Sequence, residues 1–225
     1  FVASEVYDWC YPLLDEAAKK NIVIGCQVIA GQMEIGWPPN KQGAVVGHGG
    51  ETQLQRDLLS FAVATYDEYP DIYNYIAGRY LSEFLEPRNY WYQSHSYHQG
   101  YSYNNCRYNS DLWGLWIFYR MSGEKIFTDD ARYPMYYTEY GRRPDGMTFA
   151  EGDMGVDTIG VEPTYFNYLQ PAFFAAGFYS DPYLKYQTAV QSGGYNSFNY
   201  SFTTLTPVQF ILFNDPDTDG RPFSE

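Results

Sequence analysis

Between Glu51 and Glu68 the apolar residues recur at helical spacing. Leu54, Leu58, Phe61 and Ala62, with Thr65, fall on one face, and polar and charged residues take the other. A stripe of that period does not fit a strand, whose faces alternate at every residue. The same period recurs on both sides of it. Ser4 to Lys20 predicts a helix with Pro12 as a kink or boundary. Asn21 to Glu34 (NIVIGCQVIAGQME) fits a buried helix or a strand, and its length favours helix. Asp71 to Leu85 predicts a further helix, with Ile72, Ile76, Tyr80, Leu81 and Phe84 inward and Pro87 ending it.

Ser110 to Met121 predicts a short buried helix, opened by a Ser-Asp cap and closed by Gly123. Ala131–Tyr140, Pro163–Tyr179 and Pro182–Gln191 extend the series. The last two carry Pro in the first turn, where its missing N–H costs nothing. Gly141–Gly160 predicts a long loop or hairpin, and Phe202–Phe213 fits either strand or helix. The expectation is an all-α fold of paired helices without an exact internal repeat. A toroid of such pairs would gather loops at one end into a long cleft. Residues 1–213 form this helical portion, and 214–225 (NDPDTDGRPFSE), rich in turn formers, reads as a linker. Asp215-x-Asp217-x-Asp219-Gly220 also opens like a calcium loop. Pro222 interrupts it and the twelfth position falls beyond Glu225, so the linker reading is preferred.

The chain of 225 residues has room for one large core or two small ones. Its net charge of −13 supplies no global positive field for phosphates, which argues against nucleic-acid binding. No apolar run reaches the 18 residues of a membrane span. Cys10, Cys26 and Cys106 are widely spaced and form no CxxC motif, which leaves one bridge or none. Phe1 is not a start residue and already lies in a helical pattern, so a mature or truncated piece is expected.

Against that acidic background, Pro87 to Ser110 (PRNYWYQSHSYHQGYSYNNCRYNS) contains no Asp or Glu. It holds Arg88, Arg107, His95, His98, Trp91 and six tyrosines, and is expected to be mostly loop. Rings stack on sugar faces, while Arg, Asn and Gln pair with carboxylate, sulfate and hydroxyl groups. A cleft for an anionic polysaccharide needs this combination. An aromatic segment packed on a helical core would show the same composition.

His48 lies in Gly47-His48-Gly49-Gly50-Glu51, where the glycines leave the backbone open to a ligand. Glu51, three residues on, can share a helix face with it. Three chemistries fit a His, Glu, Tyr and Arg set. One is β-elimination of a uronic acid, in which a neutralised carboxylate makes C5–H acidic and a Tyr or His removes the proton. Another is glycoside hydrolysis by two carboxylates, with Glu51, Asp111, Glu151 and Asp153 as candidates but no distinctive pair. The third is a metal site from His48, Glu51, His95 and His98, for which no compact signature exists.

Val46-Gly47-His48-Gly49-Gly50-Glu51 followed by Leu54-Gln55-Arg56-Asp57-Leu58-Leu59 resembles the catalytic helix of the heparinase II/III family. Tyr92-Gln93-Ser94 with His98-Gln99-Gly100-Tyr101-Ser102-Tyr103 is similar to that family's next active-site segment. Phe118-Tyr119-Arg120-Met121-Ser122-Gly123 and Arg143-Pro144-Asp145-Gly146 resemble its helical domain. The resemblance implies an incomplete (α/α) toroid and a secreted or periplasmic bacterial polysaccharide lyase acting on heparin or heparan sulfate. Lyases for chondroitin or alginate, and a non-catalytic glycan-binding helical protein, are the alternatives.

By the same resemblance, Tyr103 would be the base and acid, His48 the partner base for the other uronic epimer, and Glu51 a holder of the substrate carboxylate. Arg107 would contact substrate if its segment is helical. Gln99, His98 and Trp91 would join it, and Asn104 and Asn105 suit neutralisation of the acid by residue type. The family's zinc site and second catalytic His lie in a β-sandwich domain after the toroid. No metal or cofactor is therefore expected in this chain, zinc is implied for a full-length relative, and the chain alone is expected to be inactive. A homodimer is the expectation by analogy with family relatives.

Overall fold

In the computed structural model, residues 1–33, 37, 53–149, 169–191 and 207–224 are described, apart from the side chains of residues 53, 102, 105, 106 and 207–209. The described chain is helical. No strand forms among the described residues, where a lone antiparallel bridge joins Arg142 to Thr148. The all-α expectation holds at this level. The helices are α1 (Val2–Trp9), α2 (Glu16–Ala30), α3 (Leu59–Ala64), α4 (Pro70–Arg79), α5 (Leu85–Tyr92), α6 (Gly100–Ser122), α7 (Pro134–Tyr140), α8 (Leu169–Phe178), α9 (Pro182–Gln191) and α10 (Pro207–Phe213). Two compact units result: Phe1–Arg88 with Trp113–Ile126, and Asn89–Leu112 with Phe127–Glu225.

In the first unit, Pro12 ends α1 as expected and sits in a 3-10 turn, Tyr11–Leu13. Asp15 then caps α2, its carboxylate accepting from Ala18 N at 2.7 Å. The ambiguous Asn21 run belongs to α2 and is helical through Ala30. Leu54, Leu58, Phe61, Ala62 and Thr65 are all buried, as their spacing predicts. Their segment opens with a π-helical turn, Gln53–Leu58, before α3.

A second π-helical turn, Tyr80–Phe84, joins α4 to α5. Pro87 was expected to end this helix, yet the helix runs on to Tyr92. The π turn shifts the hydrogen-bond ladder just ahead of the residue that has no N–H to give. Ile72, Ile76, Tyr80 and Phe84 face inward, while Leu81 is turned to solvent.

In the second unit α8 is apolar on every side, and Leu169, Ala172, Phe173, Phe174, Ala175 and Ala176 are all buried. Such a helix belongs in a core, and α9 and α10 pack on it. The ambiguous Phe202–Phe213 run is helical over Pro207–Phe213. Asp181 caps α9, accepting from Tyr183 N and Leu184 N. It also takes the Tyr136 hydroxyl at 2.8 Å and faces Arg132 at 3.6 Å. The polar segment 214–224 lies against this unit. Arg221 N donates to Pro182 O at 2.9 Å, and the Phe223 ring stacks on Tyr183.

The aromatic stretch is mostly helix, not loop. Residues 87–92 complete α5, 100–110 open α6, and only 93–99 form a turn. Ser110 and Asp111 do not start a helix but lie inside α6. Asp111 is fully buried and accepts the Tyr92 hydroxyl, so its carboxylate serves the core instead of a cap. Gly123 closes α6 at φ 76, a left-handed conformation that suits glycine at a helix end.

Candidate functional site

One face of α6 is fixed by buried groups at helical spacing. Tyr101 donates its hydroxyl to Thr138 O at 2.9 Å. Asn104 Nδ2 donates to Pro134 O at 2.6 Å and to Thr138 Oγ1 at 2.8 Å. One turn later Tyr108 donates to Ala131 O. With this face packed, Tyr103 and Arg107 fall on a half-exposed side of α6. They are one turn apart, and the Arg107 guanidinium lies 3.6 Å from the centre of the Tyr103 ring.

The turn before α6 supplies the remaining described candidates. Gly100 opens the helix at φ 73, a conformation that strains other residues, and its N–H donates to Tyr97 O at 2.9 Å. Tyr97 is buried against Tyr108 and anchors the turn. His98 then packs edge-on against Tyr97 at 4.6 Å and against Trp91 at 6.3 Å. Gln99 points its Oε1 at Arg107 and accepts a hydrogen bond from Nη1. Trp91, at the end of α5, keeps 40% of its surface exposed. Tyr103, Arg107 and Gln99 are thus directly linked, and His98 on the turn faces Trp91 at the end of α5.

The stretch's tyrosines divide between two jobs. Tyr92, Tyr97, Tyr101 and Tyr108 are buried, so for these four the aromatic richness is core packing. Burial, then the neighbouring Tyr179 and Asp111, holds the Tyr108 phenol well above its ordinary range, which unfits it as a base near neutral pH. Tyr90 is exposed and Tyr103 half-exposed. Asn104 is fully buried and its amide N–H groups are spent on α7, so it braces α6. Arg88 is buried with its guanidinium 4.4 Å from the centre of the Phe84 ring.

His48, Glu51, Glu151 and Asp153 lie outside the described residues, and so does the Asn105 side chain. Among the described residues no three His, Cys, Asp or Glu side chains gather to hold a metal ion. No described helix is long and apolar enough to cross a membrane. Cys10 and Cys26 carry no disulfide.

Sequence reasoning named His95 but missed its partner. His95, at the far end of the 93–99 turn, packs at a tilt against Tyr133 with ring centres 4.1 Å apart. Nothing in the local sequence signals a contact between residues 38 positions apart. Neither a protein-family model nor a curated protein matches the sequence.

Proposed function

We propose that the chain carries the helical part of a polysaccharide lyase that cleaves heparin or heparan sulfate by β-elimination at the uronic acid. The observation that carries this reading is Arg107 set between Tyr103 and Gln99. β-Elimination needs a cationic or hydrogen-bonding group on the uronate carboxylate and a proton carrier beside it. Arg107 and Gln99 supply the first and Tyr103 the second. In the proposed step Tyr103 takes the C5 proton. The electron pair forms the C4=C5 double bond, the C4–O bond breaks, and the proton returns to the departing glycosidic oxygen. The resemblance of the Val46–Leu59 segment adds His48 as base for the other epimer and Glu51 as a carboxylate holder. Trp91 and His98 offer ring faces to the flanking sugars.

Incubation with heparin, heparan sulfate, chondroitin sulfate and alginate, followed by the absorbance of the 4,5-unsaturated uronate, tests the proposal. The longest natural product containing this sequence is assayed beside the 225-residue chain. A rise with heparin or heparan sulfate is expected. A rise only with chondroitin sulfate or alginate reassigns the polymer, and new reducing ends without absorbance indicate a hydrolase. Binding without either signal leaves a glycan-binding protein, the reading that the exposed Tyr90 and Trp91 rings would also serve.

A further inference from the structure

The contacts that hold the start of α6 pair it with residues 131–141 in antiparallel order. Tyr101 meets Thr138 O, Asn104 meets Pro134 O and Tyr108 meets Ala131 O. Steps of three and four residues along α6 answer steps of four and three back along its partner, the spacing of one helix face. Each contact joins a side-chain donor to a main-chain carbonyl, and a slip of one turn, about 5.4 Å, would part all three at once. The Asn104 amide is held at two points, because it also donates to Thr138 Oγ1 at 2.8 Å. Thr138 Oγ1 donates in turn to Pro134 O at 3.3 Å. Where α7 ends, Gly141 makes room for the Tyr101 ring: a Cβ there would lie 2.5 Å from Tyr101 Cδ2 and nearer still to Cε2.

We infer that Thr138 and Gly141 are positioning residues, which set the rotation and register of α6 and so aim Tyr103 and Arg107. They act through Tyr101 and Asn104, which lie two residues before and one after Tyr103. Tyr101, Asn104 and Thr138 are all buried, so the seat is closed to solvent while Tyr103 and Arg107 stay half-exposed. Neighbouring side chains on an α-helix point about 100° apart, so fixing Asn104 fixes the direction of Tyr103. Side-chain tips lie roughly 5–6 Å from the helix axis, so a rotation of about 10° moves them about 1 Å. A misplacement of that size costs a reaction up to about a hundredfold.

The bearing of this seat on catalysis rests on the lyase reading, but the seat itself is tested without substrate. The Arg107 guanidinium lies over the Tyr103 ring, whose ring current shifts its proton resonance upfield. Loss of that resonance in Arg107→Lys identifies it. Thr138→Val keeps the shape and removes the hydroxyl that receives Asn104. It is expected to move the Arg107 resonance back towards its free position and to lower kcat for unsaturated-uronate release about tenfold or more. Gly141→Ala, which acts by overlap with Tyr101, should move the same resonance. Thr138→Ser returns the hydroxyl and should restore both readouts. Tyr136→Phe alters α7 on the side that meets Asp181 and should leave both at wild-type values. An Arg107 resonance unmoved in Thr138→Val and Gly141→Ala, or moved equally by Tyr136→Phe, overturns the inference. A moved resonance in a protein that cleaves none of the polymers supports the seat and defeats the lyase reading. An unmoved resonance beside a fall in elimination defeats the seat and leaves the lyase reading.

Discussion

Arg107 holds its guanidinium over the ring of Tyr103, 3.6 Å from its centre, and reaches Gln99 with the same group. The pair depends on a planar fork, because one face lies on a ring while an edge N–H is directed at an amide oxygen. On the proposed lyase reading, Arg107→Ala should weaken heparin binding roughly tenfold, the scale of one charge-assisted hydrogen bond. Arg107→Lys should recover only part of this, since an ammonium cannot stack and fork together. Titration calorimetry on the two variants checks both statements.

Gly114 and Gly177 are among the glycines set by close approach. A Cβ on Gly114 would lie 2.6 Å from the Tyr80 hydroxyl oxygen and 3.1 Å from Gln55 Oε1, in the core of the first unit. Tyr80 and Gln55 are fully buried on the two π-helical turns and have little room to yield. Gly114→Ala should cost about 1–3 kcal/mol. Gly177 is tighter still, because a Cβ there would lie 1.6 Å from the Phe213 carbonyl oxygen, a backbone atom. Gly177→Ala should therefore be the more damaging of the two, with thermal unfolding as the measurement.

Asp181 combines a helix cap with a buried partner for Tyr136 and Arg132. Asp181→Asn keeps the shape and loses the charge, and should destabilise by about 1–3 kcal/mol. Tyr136→Phe removes one donor and should cost less. Urea unfolding of the two variants ranks them. An equal or greater loss from Tyr136→Phe would contradict the assignment.

The Tyr7 phenol is pushed up to about 12, first by burial and next by the Glu68 carboxylate. The folded state therefore holds this proton more tightly than the unfolded chain, whose tyrosines titrate near 10. The associated stability is complete below about pH 10 and is lost as pH rises towards 12. Denaturation midpoints measured from pH 9 to 12 should fall less steeply in Tyr7→Phe than in the wild-type protein.

What could be read in advance followed from periodicity. Leu54, Leu58, Phe61, Ala62 and Thr65 are buried because side chains three and four apart share a helix face whatever surrounds them. Pro87 misled because the preceding π turn has no sequence signal of its own. Asp111 misled because a Ser-Asp pair suits a cap, while its actual partner, Tyr92, is 19 residues away. In the site, the spacing of Tyr103 and Arg107 carried their contact once the segment was helical. The Gln99 contact needed the left-handed turn at Gly100, and the burial of Asn104 depended on which face α7 covers. Residue type supplied the chemistry of the stretch but not the side on which each group would be used.

The most direct test is the rate at which unsaturated uronate appears from heparin or heparan sulfate with the wild-type protein and with Tyr103→Phe, with glycan binding measured in parallel. The proposed role of Tyr103 predicts a fall of about a hundredfold or more with binding preserved. An unchanged rate in Tyr103→Phe would contradict it.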